Sequence, residues 1–127
     1  MAGGKMRVAG IGFRTNAPLS SLRAVLTAVE AIGGRVDALA SLPEKIAAPR
    51  LQALALERGL PVIAATVRGI ATPTQSSRIQ ALHGTGSVSE AAALVVAGPG
   101  AKITVARRCA PDGMATCAMA ETKDPTP

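Results

Sequence analysis

Along this chain, short apolar runs typical of buried strands alternate with segments in which apolar residues recur at helical spacing. In the first half they predict the order strand, helix, strand, helix, strand, over residues 6–12, 19–32, 35–41, 49–58 and 61–65. Pro18 and Pro49 suit the starts of the two helices, and glycines follow both helices where the chain must turn. Strands that alternate with helices in this way predict parallel strands with helices packed on both faces.

The second half of the chain predicts a further helix and a closing pair of strands. Residues 66–84 predict a loop with a short helical or extended piece around 78–82, and an apolar run with a polar start predicts a helix over 87–97. Residues 102–107 and 114–119 predict two strands that pair as a hairpin.

These elements predict the fold class α/β, a three-layer α/β/α domain with a mostly parallel (mixed) central sheet of about five strands. A length of 127 residues suits one domain with an ordinary core, expected over residues 1–120, and the polar tail 121–127 is predicted to be disordered. Hydrophobic residues make up 48% of the chain and aromatic residues 1%, so the core must be aliphatic, with Phe13 as the only ring.

Charge and composition narrow the classes of partner. The net charge is +6, and six basic residues but one acidic residue lie between positions 58 and 111, which favours an anionic ligand. Nucleic acid is not expected, because the chain lacks the aromatic side chains on which bases stack. No apolar run has the length of a membrane span, so no membrane and a cytoplasmic location are expected. Cys109 and Cys117 are too few for a disulfide scaffold or a zinc site, and no metal or cofactor is expected.

The strongest candidate binding site is the turn before the helix at 87–97, whose residues are Gly84, Thr85, Gly86 and Ser87. Such a turn points several backbone N–H groups in one direction, and together with the helix dipole they bind a carboxylate or phosphate. Ser87 and Glu90 fit a capping box equally well, in which the protein satisfies the same donors itself. Spacing leaves both interpretations open, and the two glycines before the cap favour a site.

Two further side chains are candidates because of their place in the predicted fold. Arg14 follows the first strand at the carboxyl edge of the sheet, where ligands of open α/β sheets bind. His83 directly precedes the glycine turn, where it is either a structural histidine or an acid, base or donor toward a bound group. The run 10–12 is not a dinucleotide fingerprint, because Thr15 stands where that motif requires glycine.

The order of these motifs resembles the CobE proteins and the C-terminal domain of CbiG. The resemblance is carried by the segments Gly-Ile-Gly-Phe-Arg at 10–14, Ala-Ser at 40–41 with Lys45, Pro-Arg-Leu at 49–51, Gly-Leu-Pro at 59–61, the block 84–94 and the closing hairpin 102–118. It covers residues 6–119 and implies a three-layer α/β/α fold and a role in cobalamin biosynthesis. Phe13 stands where many CbiG-type domains have cysteine, so no thiol chemistry is expected at that position.

The resemblance also implies a ligand, a precorrin or corrinoid whose acetate and propionate arms suit a basic site. CbiG resembles a hydrolase that opens the ring lactone of a cobalt-precorrin and releases acetaldehyde. This chain is therefore either a precorrin hydrolase of that type or a non-catalytic carrier of a corrinoid, with other corrin-pathway enzymes as candidate partners. By matching position the resemblance assigns the site to Arg14, Lys45, Thr85, Gly86, Ser87 and Glu90. In the hydrolase version, Glu90 or His83 would place the attacking water.

Overall fold

The computed structural model describes residues 6–122 as five strands and four helices. In chain order these are β1 (Arg7–Phe13), α1 (Leu19–Gly33), β2 (Ala38–Ser41), α2 (Pro49–Arg58), β3 (Val62–Ala64), α3 (Ser77–His83), α4 (Val88–Ala97), β4 (Lys102–Cys109) and β5 (Ala115–Glu121). The ambiguous piece around 78–82 is the helix α3. Strand β5 includes Glu121, and the Thr122 amide donates to the Met6 carbonyl, so order extends two residues into the predicted tail. The remainder of that tail lies outside the described residues.

The sheet has the strand order β3-β2-β1-β5-β4. Strands β1, β2 and β3 are parallel to one another, whereas β5 pairs antiparallel with both β1 and β4. Four of the five strands therefore point in the same direction and β5 runs against them. This arrangement confirms the predicted α/β class with a mixed sheet, and β4 and β5 form the predicted hairpin.

Side chains alternate across β1 and separate two apolar clusters, one on each face of the sheet. Ala9 and Ile11 face the cluster that contains the buried side chains of α1 and α2. Val8 faces the other cluster, to which α4 contributes a run of buried alanines, Ala91 to Ala93. Helices thus cover both faces, as the buried strands of a three-layer domain require. No helix within residues 6–122 is both long and apolar enough to cross a bilayer.

Helix α4 lies unusually close to the sheet at Gly10. A Cβ atom placed on Gly10 would lie 1.9 Å from the Ser89 carbonyl oxygen and 2.8 Å from the Ala93 amide nitrogen. Glycine in β1 and alanines in α4 therefore allow the two backbones to touch, which brings the first turn of α4 beside the carboxyl end of β1.

Candidate ligand-binding cleft

An open cleft of about 490 Å³ lies at the carboxyl ends of β1 and β2. One wall is formed by Gly12, Phe13 and Arg14 together with the loop that follows β2, and the opposite wall by α3 and the start of α4. The β4–β5 hairpin closes a third side. This is the edge of an open α/β sheet at which ligands bind, because the loops that follow parallel strands diverge there.

The cleft carries an excess of positive charge. Its lining includes His83, the single carboxylate Glu44, and four cationic side chains, which are Arg14, Lys45, Arg78 and Arg107. Within residues 6–122, the three arginines and Glu44 make no side-chain hydrogen bond or ion pair. The described ion pairs lie elsewhere and join Arg7 to Glu121, Arg23 to Glu57 and Arg58 to Glu30. Unneutralised guanidinium groups around one concave surface are suited to hold carboxylates, which they bind through charge-assisted hydrogen bonds.

Lys45 is held at the rim of the cleft by two contacts. Its Nζ lies 4.9 Å from the centroid of the Phe13 ring and donates a hydrogen bond of 3.4 Å to Thr15 Oγ1. The ammonium group thus rests over the one aromatic ring of the protein, an arrangement in which the ring quadrupole attracts the cation. The loops after β1 and β2 are thereby joined on the cleft side.

Apolar side chains share the lining with these cations. Phe13 and Met114 lie on the sheet side, Val88 lies at the start of α4, and Ile79 and Leu82 project from α3. The cleft therefore combines an apolar surface with cations at its margin, as ligand pockets with a few convergent polar groups do.

The predicted glycine turn lies behind the cleft lining. Gly84 ends α3 with a positive φ of 70°, and Thr85 Oγ1 donates to the Ile70 carbonyl at 2.6 Å. The Gly86 carbonyl accepts from the Ser76 amide, and Ser87 Oγ accepts from the Glu90 amide at 3.3 Å. Thr85, Gly86 and Ser87 are buried, and the turn reaches the cleft through the next residue, Val88.

Glu90 is completely buried, and its carboxylate is satisfied within the protein. It accepts hydrogen bonds from the Thr74 amide at 2.8 Å, from Thr74 Oγ1 at 2.8 Å and from the Arg107 amide at 2.9 Å. Ser87 caps α4, as the S-x-x-E spacing predicts. The Glu90 carboxylate, in contrast, accepts hydrogen bonds from Thr74 and Arg107, which lie in other segments. Its position ties the start of α4 to the 72–76 loop and to β4.

Arg107 lies at a bulge in β4 and lines the cleft. The pairing of β4 with β5 shifts register twice, between Ile103 and Val105 and again between Val105 and Arg108, and each shift inserts one extra residue in β4. Bulges of this kind turn a strand and redirect side chains near sites. The Arg107 amide, displaced from regular pairing, donates to Glu90 instead, and its side chain lines the cleft.

Of the residues predicted from sequence, the structure brings Arg14, Lys45 and His83 together at one cleft. It places the turn 84–87 and Glu90 behind the lining. Sequence reasoning did not single out Arg78, although it belongs to the basic segment between residues 58 and 111. Within residues 6–122, no group of histidine, cysteine and carboxylate side chains is arranged to hold a metal ion.

Together these features define an α/β/α domain with a basic, partly apolar ligand cleft at the carboxyl edge of a mixed sheet. Residues 7–120 match the model of the family described as cobalamin synthesis G C-terminus, and the chain belongs to that family. This match confirms the family predicted from the motifs, and the protein therefore takes part in cobalamin biosynthesis.

Two solved structures show the same fold. The first is CobE, a protein from the cobalamin (vitamin B12) biosynthetic pathway, which is 29% identical over 95% of this chain and 96% of its own, with a TM-score of 0.79. The second is the cobalamin biosynthesis protein chiG from Agrobacterium tumefaciens, which is 34% identical over 94% of this chain and 100% of its own, with a TM-score of 0.73. A comparison with curated proteins found no match.

Proposed function

We propose that this protein binds a precorrin or corrinoid intermediate of cobalamin biosynthesis in the cleft, through ion pairs to the carboxylate arms of the ring. The observation that carries the proposal is the set of four cationic side chains that line the cleft with a single carboxylate among them. Arg14, Lys45 and Arg107 approach from three different loops or strands, so they match a ligand with several separated acid groups better than a single small anion.

The apolar part of the lining suits the ring itself. Precorrins and corrinoids are large, mostly apolar macrocycles with acetate and propionate arms at their periphery. A volume of about 490 Å³ lies in the range of pockets for drug-sized ligands, which are smaller than such a ring with its arms. We therefore expect the cleft to hold one edge of the ring, with Phe13 and Met114 against the apolar surface and the opposite edge in solvent.

Two versions of this function follow from the same cleft. In the carrier version the protein binds the intermediate without changing it. In the hydrolase version water adds to the carbonyl of a ring lactone, the lactone C–O bond breaks, and a carboxylate and a hydroxyl group form. The carbon that bears this hydroxyl then leaves as acetaldehyde: its hydroxyl proton is lost, its C–C bond to the macrocycle breaks, and the macrocycle keeps the electron pair and takes up a proton. His83 favours the second version, because it lines the cleft and its imidazole has no hydrogen-bond partner among residues 6–122. Glu90 is given no catalytic role, since it is buried and holds three donors.

Isothermal titration tests binding with two ligands that share one ring. Dicyanocobyrinic acid carries free carboxylates, whereas its heptamethyl ester carries none. We expect the acid to bind, the ester to bind much more weakly, and the affinity for the acid to fall as salt rises. Equal affinity for the two ligands, or no binding of the acid, would refute the proposal.

Arg14→Gln provides a site variant for the same titration, and Arg50→Gln provides a matched control. Both arginines are exposed and lack side-chain partners within the described part of the chain, but only Arg14 lines the cleft. Arg14→Gln should weaken binding of the acid roughly fivefold at low salt, as expected for one exposed ion pair, and Arg50→Gln should bind as the parent does.

Acetaldehyde release separates the two versions. The parent protein and His83→Gln are incubated with a lactone-bearing precorrin, and acetaldehyde is measured. Release by the parent and loss of release in the variant would support the hydrolase version. No acetaldehyde above background, with binding retained, would eliminate the hydrolase and leave the carrier.

A further inference from the structure

Helix α3 is the least supported element around the cleft. None of its residues is buried, and it makes no extensive contact with any other helix or strand in residues 6–122. Ile79 is the one residue of α3 that packs against a core cluster. Segments with so few buried apolar contacts open at low free-energy cost.

The two ends of this segment are, in contrast, firmly held. Before α3, Thr74 is fixed by the buried carboxylate of Glu90. After α3, Thr85 Oγ1 donates to the Ile70 carbonyl, and Gly86 accepts from the Ser76 amide and so joins the two ends of the segment. The Gly84 carbonyl also accepts from the Gly69 amide, so residues 77–83, here called the α3 arm, form a loosely packed segment between two fixed points.

The α3 arm carries cleft-facing side chains that are exposed or unpaired in the free protein. Arg78, Leu82 and His83 all line the cleft. The Leu82 side chain is 56% exposed, and Arg78 has no side-chain partner among the described residues. An exposed leucine and an unpaired arginine on a weakly packed wall of a ligand cleft are explained together if a ligand with an apolar body and an acid group covers both.

We infer that the α3 arm closes on the bound ligand, with Leu82 packed on the apolar ring and Arg78 paired with a carboxylate on the side opposite Arg14 and Lys45. This inference rests on the proposed function and adds a requirement on the ligand. Only a molecule with acid groups on two sides of an apolar body can join the sheet side of the cleft to the arm. A small dicarboxylic acid such as succinate would reach one wall and leave the arm open.

Hydrogen exchange on the full chain tests the closure. Saturating dicyanocobyrinic acid should slow exchange of the amides of residues 77–83, and succinate should not. The amides of α1 serve as an internal reference and should exchange equally in both samples. Binding of the acid without protection of the arm would overturn the closure and leave the proposed function intact, whereas failure of the acid to bind would overturn both.

Two leucine variants test the contact itself. Leu82→Ser should weaken binding of dicyanocobyrinic acid roughly fivefold, because a largely exposed leucine becomes buried on binding, and it should leave the melting temperature unchanged. Leu56→Ser is the matched control, since Leu56 lies 84% exposed on α2 and outside the cleft lining. Equal affinity of the two variants for the acid would refute a ligand contact by Leu82.

Discussion

Replacement of Gly10 by alanine should strongly destabilise this protein, because the backbones of β1 and α4 meet at that residue. The added Cβ would lie 1.9 Å from the Ser89 carbonyl oxygen. Carbon and carbonyl oxygen atoms need about 3.3 Å even in close contacts, so α4 would have to move away by more than about 1 Å. Backbone atoms on both sides of the contact leave no side chain that could rotate out of the way.

The size of the effect follows from what α4 holds in place. Ala91, Ala92 and Ala93 of this helix are completely buried against the sheet, and Glu90 fixes Thr74 from its first turn. A shift of the helix would loosen all of these contacts at once. Forced insertion of a methyl group into a packed core costs about 1–3 kcal/mol, and the rigid contact here places Gly10→Ala at the upper end, about 3 kcal/mol. The melting temperature should fall by roughly 10 °C.

Thermal unfolding followed by far-ultraviolet circular dichroism measures this change, with Gly12→Ala as the control in the same strand. A Cβ on Gly12 would meet Thr116 Oγ1 at 2.9 Å and Val88 Cγ1 at 3.8 Å. Thr116 can move its Oγ1 away by rotation about χ1, which gives up its 3.5 Å hydrogen bond to the Gly12 carbonyl, so Gly12→Ala should cost about 1 kcal/mol. If Gly10→Ala melts within 2 or so degrees of the parent, or if the two variants are equally destabilised, the close contact of α4 with β1 is refuted.

Three further outcomes are expected. Glu90→Gln should lower the free energy of unfolding in urea by about 1–3 kcal/mol, since its amide group cannot accept every bond that the carboxylate accepts; an unchanged urea midpoint would contradict a structural role. Cys109 is exposed, whereas burial raises the pKa of the Cys117 thiol, so a disulfide reagent should label one thiol in the folded protein and two in denaturant; rapid labelling of both would contradict this burial. The Ser21 hydroxyl and the Met114 amide hold the pKa of Asp112 below its usual range, so Asp112 stabilises the fold above the unfolded pKa of about 4, and this contribution is lost as pH falls through the folded value. The difference in melting temperature between the parent and Asp112→Asn should accordingly shrink between about pH 6 and about pH 3, and a constant difference would contradict the assignment.

The helices and strands could be predicted because their signals are local. Pro49 and Gly59 bracket α2 as predicted, and Gly59 adopts the left-handed conformation that ends a helix. The predicted start of the second strand at residue 35 was too early, because β2 begins at Ala38. Its pairing with β1 and β3, which no local pattern reports, sets where the strand begins.

The site was harder to predict because its parts are far apart in the sequence. Sequence spacing alone could not decide between a capping box and an anion site at Ser87 and Glu90. Glu90 finds its partners at Thr74 and Arg107, which lie sixteen and seventeen residues away on either side. These groups are brought together by the packing of α4 on the sheet and by the bulge in β4, which takes the Arg107 amide out of regular strand pairing.

The order of the elements, the aliphatic core, the basic character and the family could all be predicted from the sequence, because they depend on local periodicity, composition and motifs. The folded structure was needed to show which charges share a surface. It gathered Arg14, Lys45, Arg78 and Arg107 around one cleft and buried Glu90 behind it. Parallel strands end at a common edge of the sheet, so side chains from distant loops lie close together there. The spacing of these residues along the chain does not indicate that they are neighbours in the fold.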